Sequence, residues 1–393
     1  MDRERPIRIL QVLGRLDRGG AETMIMNLYR HMDRSRIQFD FVIHTEEICD
    51  YTKEVKRLGG RIYSMERFTP GTALRYRRQW RAFFQAHPEY RIIHGHMRST
   101  AVLYLQEAKR AGLVTIVHSH NTSSGSGFSA VIKNIMQAPL RFQADYLFAC
   151  SAWAGRWLYG KRACGKSNFR ILLNGIDPEC FRFDAAVRAG KRRELMSGMT
   201  LTSCEPEEAE TAENGGNGGE REVTVFLHIG RLEEQKNHAF LLRIMREIAA
   251  LNPRTVLYLC GAGPLEQKIR EQIRAYGLEG HVFLLGMRTD VPALMQAADG
   301  MLFPSLFEGL PVTLVEAQAA GLPVLMADTV TDEVVLTDLV RTMPLSETPQ
   351  NWARQALTMA AAGRERYADV IARSGYDVAE NARELGRFYE DKS

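Results

Sequence analysis

Short apolar runs alternate along this chain with stretches in which apolar residues recur every three to four positions. Residues 7–13, 39–43, 91–94, 115–117 and 146–149 read as strands, and the first is followed by a helical pattern from Ala21. This is the rhythm of a parallel sheet covered by helices on both faces. It breaks over residues 197–222, where Glu-Pro-Glu-Glu and Asn-Gly-Gly-Asn-Gly-Gly follow one another with almost no large apolar residue, the composition of a flexible acidic, glycine-rich linker. It then restarts: strand 223–229, helix 237–251, strand 255–260, helix 264–276, strand 282–285. The expectation is an α/β protein of two Rossmann-like, doubly wound domains, 1–196 and 223–373. A C-terminal amphipathic helix, 377–391, carries Val378, Leu385, Phe388 and Tyr389 as apolar anchors and is expected to pack back on the first domain.

Length and composition agree with two domains: 393 residues, 45% hydrophobic and 25% charged. No apolar run approaches the roughly 20 residues that span a bilayer. The opening Met1-Asp2-Arg3-Glu4-Arg5-Pro6 lacks the apolar region of a signal peptide, so a cytoplasmic protein is expected. Six cysteines without a Cys-x-x-Cys pair suggest buried, reduced thiols rather than disulfides or zinc. The net charge of +4 hides an asymmetry, +15 over residues 1–199 against −11 over 200–393. A basic half suits an anionic surface, and nucleic acid is disfavoured because no recognition motif accompanies the charge.

Two segments carry chemistry. In Phe307-Glu308-Gly309-Leu310-Pro311-Val312, Pro311 suits the first position of a short helix, 312–320, which Gly321 ends. The free amides at its start suit a diphosphate, Gly309 lets the backbone approach, and Glu308 and Glu316 can accept hydrogen bonds from sugar and ribose hydroxyls. A capped surface helix with two solvated glutamates is the alternative. In Gly230-Arg231-Leu232-Glu233-Glu234-Gln235-Lys236-Asn237, directly after a strand, Arg231 can clamp phosphate oxygens and Lys236 adds a point charge, together replacing a divalent metal. An ordinary basic turn is the alternative there. Residues 73–84 interleave Arg75, Arg77, Arg78 and Arg81 with Tyr76, Trp80, Phe83 and Phe84: either a crossover helix with its aromatics in the core or a basic helix resting on anionic lipid.

Gly230-Arg231 with Lys236-Asn237, then Glu308 and Glu316 seven residues apart, resembles the signature of family 4 retaining glycosyltransferases of the GT-B fold, in which two Rossmann-like domains face across a cleft. The resemblance extends through Gly19-Gly20-Ala21-Glu22, His118-Ser119-His120-Asn121, Cys150-Ser151 and Asn174-Gly175-Ile176-Asp177. Within the family it is similar to bacterial exopolysaccharide and capsule transferases, in Leu13-Gly14-Arg15 and Val117-His118-Ser119-His120-Asn121. The insertion at 197–222 departs from the pattern at the interdomain junction.

The resemblance implies that Arg231 and Lys236 hold the donor phosphates, Glu308 the transferred sugar and Glu316 the ribose. Gly309, Leu310 and Pro311 would add main-chain contacts. Gly286-Met287-Arg288 would lie beside the base, the Gly19-Gly20 loop would close over the phosphates, and His120 would touch the sugar unless it is a core or capping histidine. His94 and His96 are read as structural. Gly14, Gly19 and Gly20 do not form Gly-x-Gly-x-x-Gly. The expected substrates are a nucleotide-diphosphate sugar, with UDP as the nucleotide, and a saccharide or lipid-linked acceptor. No metal or other cofactor is expected, and the protein could sit peripherally on the inner face of the cell membrane. A sugar-nucleotide epimerase on the same fold and an inactive subunit of a polysaccharide assembly complex are the competing readings.

Overall fold

The computed structural model describes residues 6–120, 128–197, 223–359 and 364–393. They form two compact units, Met1–Asp177 with Gly375–Ser393, and Pro178–Ser374. The first unit is built on seven parallel strands: β1 (Ile7–Val12), β2 (Ile37–Ile43), β3 (Ile62–Ser64), β4 (Ile92–Gly95), β5 (Val114–Ser119), β6 (Tyr146–Ala149) and β7 (Phe169–Ile171). Their spatial order is β3-β2-β1-β4-β5-β6-β7. The second has six: β8 (Thr224–Ile229), β9 (Thr255–Cys260), β10 (Val282–Gly286), β11 (Gly300–Phe303), β12 (Val324–Ala327) and β13 (Val340–Met343), ordered β10-β9-β8-β11-β12-β13. Each order runs outward from one central pair, β1/β4 or β8/β11. At such a pair the flanking connections leave in opposite directions and open a crevice beyond the strands' carboxyl ends, where α/β proteins bind ligands.

Both faces of each sheet are covered, so strand residues alternate between two cores rather than between core and water. Ile9 of β1 packs with Tyr29, Phe39 and Phe41, while its neighbours Leu10 and Val12 pack on the other face with Trp80, Tyr104 and Leu105. The C-terminal helix Val378–Asp391 joins the first unit as expected: Asp377 caps it by accepting the Ala379 and Glu380 amides, and Val378, Ala382, Leu385, Phe388 and Tyr389 enter the Ile9 core.

The first unit ends earlier than residue 196. The helix Ala185–Ser197 belongs to the second unit, held there by Arg188 and Arg192, which pair with Asp299 at 2.5 and 3.0 Å. Arg188 also donates to the carbonyls of Gln296, Ala297 and Ala298. Beyond Ser197 the expected linker lies outside the described residues, as do Asn121 and Cys204.

The helix Ala73–Ala86 resolves the choice left open for the arginine-rich stretch. Tyr76, Trp80 and Phe84 are buried in the core. Arg77 and Arg81, with Arg110 from a neighbouring helix, surround the Glu107 carboxylate, which is 1% exposed, at 2.8, 3.1 and 2.8 Å. Arg75 pairs with Glu66. Three of the four arginines proposed to meet lipid thus pair with carboxylates of the same unit, and the aromatics between them serve its core. Cys180 is exposed, against the expectation for a core thiol. Among the described residues no helix is long and apolar enough to cross a membrane.

Candidate functional site

The two sequence segments singled out for phosphate and sugar chemistry leave the carboxyl ends of β8 and β11, the central pair of the second sheet. At the end of β8 the chain turns through Gly230, where a β-carbon would stand 2.7 Å from Cε of Lys236, so glycine is what lets the lysine stem lie against the backbone. A single 3₁₀ turn, Glu234–Lys236, follows. Asn237 then takes a left-handed conformation (φ 54°, ψ 44°), which asparagine tolerates better than most residues, and starts the helix His238–Leu251.

This path aims Lys236 at Glu308. The ammonium lies 2.6 Å from Oε1 and 4.7 Å from the centre of the Phe303 ring, the last residue of β11. Gln235 donates from Nε2 to Oε2 of Glu308 at 3.0 Å and to the Phe307 carbonyl at 2.9 Å, and its own carbonyl accepts the Leu306 amide at 2.8 Å. The β8 and β11 loops are therefore laced together around one largely buried ion pair. His238 senses the lysine: burial, with the Lys236 charge adding to it, lowers its pKa to about 4.

The following helix, Val312–Ala319, begins one residue after Pro311, which stands at the cap position rather than at the first helical position. No side chain caps it, so its leading amides remain available to an anion. Gly321, at φ 62°, ends it as expected. Glu316 lies in its second turn, partly buried and without a hydrogen-bond or ion-pair partner among the described residues, and burial alone raises its pKa to about 7.

The remaining expected residues are not part of this cluster. Arg231 is 71% exposed and pairs with Glu233 at 2.8 Å, so it is not joined to Lys236 and Glu308. Arg288, just beyond β10, is held by Asp290 at 2.6 Å and approached by Glu194 at 3.5 Å. Gly19 and Gly20 belong to the first unit, where Gly19 caps the helix Gly20–His31 beyond the end of β1. His120 also lies in that unit. β5 runs on to Ser119 rather than stopping at Val117, which puts His118 inside the strand and His120 directly after it, 2.8 Å from His96. His96, read as structural, is thus a direct partner of the expected sugar ligand. His94, His96 and His118 are also the one group of metal-ligating type among the described residues, with ligand atoms within 4.8 Å of one another. Gln235 and Phe303 went unnoticed in the sequence, where nothing distinguishes them from any turn glutamine or strand phenylalanine.

The geometry is that of a largely buried ion pair beside an uncapped helix start at a sheet's reversal point. Residues 18–180 match the model of glycosyltransferase family 4, and residues 212–362 that of the glycosyl transferases group 1. EpsF of Bacillus subtilis (strain 168), itself provisionally assigned as a glycosyltransferase, is 34% identical over 394 residues, spanning 97% of this chain and 96% of its own. This chain is a family 4 glycosyltransferase. An Escherichia coli relative is 26% identical over 253 residues, 61% of this chain and 58% of that one, and is named as a UDP-Gal:α-D-GlcNAc-diphosphoundecaprenol α-1,3-galactosyltransferase. HepE of Anabaena, solved with UDP, superposes with a TM-score of 0.74 at 18% identity over 98% of this chain and 100% of its own. That likeness gives this family 4 glycosyltransferase the GT-B fold.

Proposed function

We propose that this glycosyltransferase takes a sugar from a UDP-sugar and adds it, with retention of anomeric configuration, to a saccharide or lipid-linked saccharide in exopolysaccharide or capsule synthesis. The observation that carries the reading is the Lys236–Glu308 ion pair beside the uncapped start of the helix Val312–Ala319. In the absence of donor, each charge satisfies the other. A diphosphate arriving at the helix amides competes for Lys236, and Glu308 is released to accept hydroxyl protons of the sugar. Glu316 takes the ribose hydroxyls. As the bond from the anomeric carbon to the diphosphate breaks, negative charge grows on the leaving oxygen, where Lys236 and the amides stabilise it with Arg231 turned inward from Glu233. The acceptor oxygen attacks from the same face and its proton passes to the departing phosphate, so neither a protein nucleophile nor a metal is required.

Relatives named for undecaprenol-diphosphate substrates support a lipid-linked acceptor, and with it a cytoplasmic enzyme held peripherally on the membrane. The surface that supports such contact is the helix Phe128–Gln137, whose Val131, Ile132 and Ile135 are exposed beside Lys133. Thermal melting against UDP, GDP and their sugars tests the donor. A ligand at 100 times its dissociation constant adds about 2.7 kcal/mol of stability, so UDP and one UDP-sugar should raise the melting temperature and GDP should not. Stabilisation by GDP alone would refute the UDP assignment.

A further inference from the structure

Three neighbouring strands of the first sheet, β1, β4 and β5, place polar side chains together beneath the C-terminal helix. Gln11 of β1 is in register with His94 of β4. The rings of His94 and His118 stack at 5.3 Å, those of His118 and His120 at 4.1 Å, and those of His96 and His120 lie 5.1 Å apart. Gln11, His94 and His118 are fully buried, as is Tyr389, which the helix Val378–Asp391 lowers onto this row. Such a group belongs in an apolar interior only if its donors and acceptors are matched.

The contacts form one chain. His120 Nε2 lies 2.8 Å from His96 Nδ1, and His96 Nε2 lies 2.9 Å from Gln11 Oε1. Gln11 Nε2 donates to the Tyr389 hydroxyl at 3.4 Å, and that hydroxyl lies 2.7 Å from His94 Nδ1. A direction follows from the chemistry of each atom. An amide oxygen only accepts, so His96 carries its proton on Nε2. A neutral His96 then has a bare Nδ1, which accepts from His120 Nε2–H. His120 is left with an unprotonated Nδ1, which is buried and without a partner among the described residues. At the far end Tyr389 accepts from Gln11 and donates to His94.

We propose that Tyr389, Gln11 and His96 are positioning residues that hold His120 as its Nε2-protonated tautomer, so that the Nδ1 lone pair is the acceptor meeting a hydroxyl of the transferred sugar. This rests on the reading of His120 as a sugar contact. The imidazoles stay neutral, as the relay requires: burial keeps His96 well below its ordinary value and lowers His120 to about 3, with the Arg98 charge adding to the latter. A metal ion among His94, His96 and His118 is disfavoured because both nitrogens of His96 and Nδ1 of His94 are already engaged, and among the described residues no carboxylate accompanies the trio to offset a divalent charge.

The test uses full-length protein labelled with ¹⁵N-histidine, with His120→Ala identifying the His120 signals. Expected are a pyridine-type Nδ1 and a pyrrole-type Nε2 on His120, converting to a tautomer mixture in His96→Phe and in Gln11→Met. With the UDP-sugar that stabilises the protein as donor, both variants should lower kcat by about tenfold, the worth of one hydrogen bond, while UDP affinity stays within about twofold. A wild-type His120 protonated on Nδ1, an unchanged tautomer in both folded variants, or one equivalent of zinc, nickel or copper lost in His96→Phe would overturn the relay. If His120→Ala loses turnover while His96→Phe and Gln11→Met keep it, the relay falls and the sugar contact stands. If His120→Ala itself keeps turnover, the sugar contact falls and the proposal with it.

Discussion

Glu316 titrates where it can be followed by both stability and ligand binding. Its carboxyl has a pKa of about 7 in the folded protein because burial penalises its charge and no partner among the described residues compensates. A glutamate in an unfolded chain titrates near 4.3, so between about pH 4.3 and 7 the folded state holds a proton that the unfolded state has released. The stabilisation from that proton is complete below the unfolded value and is lost as pH rises through about 7. A rise from 4.5 to about 7 is worth roughly 3 kcal/mol at 1.36 kcal/mol per unit, as an upper bound. Glu316→Gln keeps the shape and removes the charge. Urea unfolding should find the variant more stable than wild type by roughly 1–3 kcal/mol at pH 8, and equal to it at pH 4. The ionised carboxylate accepts from both ribose hydroxyls more strongly than the protonated carboxyl does, so UDP binding at pH 7 should also release up to about half a proton, visible as a buffer-dependent heat in calorimetry. A variant no more stable at pH 8 than at pH 4, relative to wild type, would refute the argument.

Lys236→Ala should cut turnover by roughly 10²–10³, the range for one preorganised electrostatic donor, with folding retained; a loss below about threefold removes Lys236 from the leaving-group site. Transfer should survive excess EDTA and give a product of unchanged anomeric configuration by proton NMR, so abolition by chelation or an inverted product counts against the mechanism. Arg77→Glu with Arg81→Glu should destabilise the first unit by roughly 3–5 kcal/mol, because Glu107 is buried and loses two cations for two anions. If the double variant melts like wild type and only loses liposome flotation, the arginines serve the membrane after all.

The fold was legible wherever a strand is long enough to stand out as an apolar run. β1, β2, β8 and β9, of six or seven residues, fall within a residue or two of the sequence reading. β11, β12 and β13 have four residues each. The first two are buried throughout and run into apolar neighbouring sequence, so alternation does not mark them apart from adjoining helix. The change of composition at residue 197 marks a domain boundary in the sequence. The physical boundary lies earlier because Asp299, a residue remote in sequence, captures Arg188 and Arg192.

Lys236 and Glu308 stand out in the sequence because each lies in a turn between a strand and a helix. Their contact, across 72 residues, depends on β8 and β11 being neighbours, which local sequence does not state. The histidine row is hidden in the sequence for the same reason. His94 and His96 acquire meaning only when the order β1-β4-β5 lays Gln11 beside them and the C-terminal helix brings Tyr389 from the far end of the chain.

The division of labour at the donor site is tested most directly by Glu308→Gln. The Glu308 carboxylate now competes with any phosphate for Lys236, at 2.6 Å from the ammonium, and in the donor complex it is assigned to the sugar, which, unlike the ribose, changes shape and charge as the bond breaks. Turnover of the stabilising UDP-sugar and the dissociation constant of UDP should be measured on the same preparation. The account predicts kcat lowered by about 10² or more, with UDP bound as tightly as by wild type or more tightly. UDP binding weakened as much as in Glu316→Gln, with kcat intact, would contradict it.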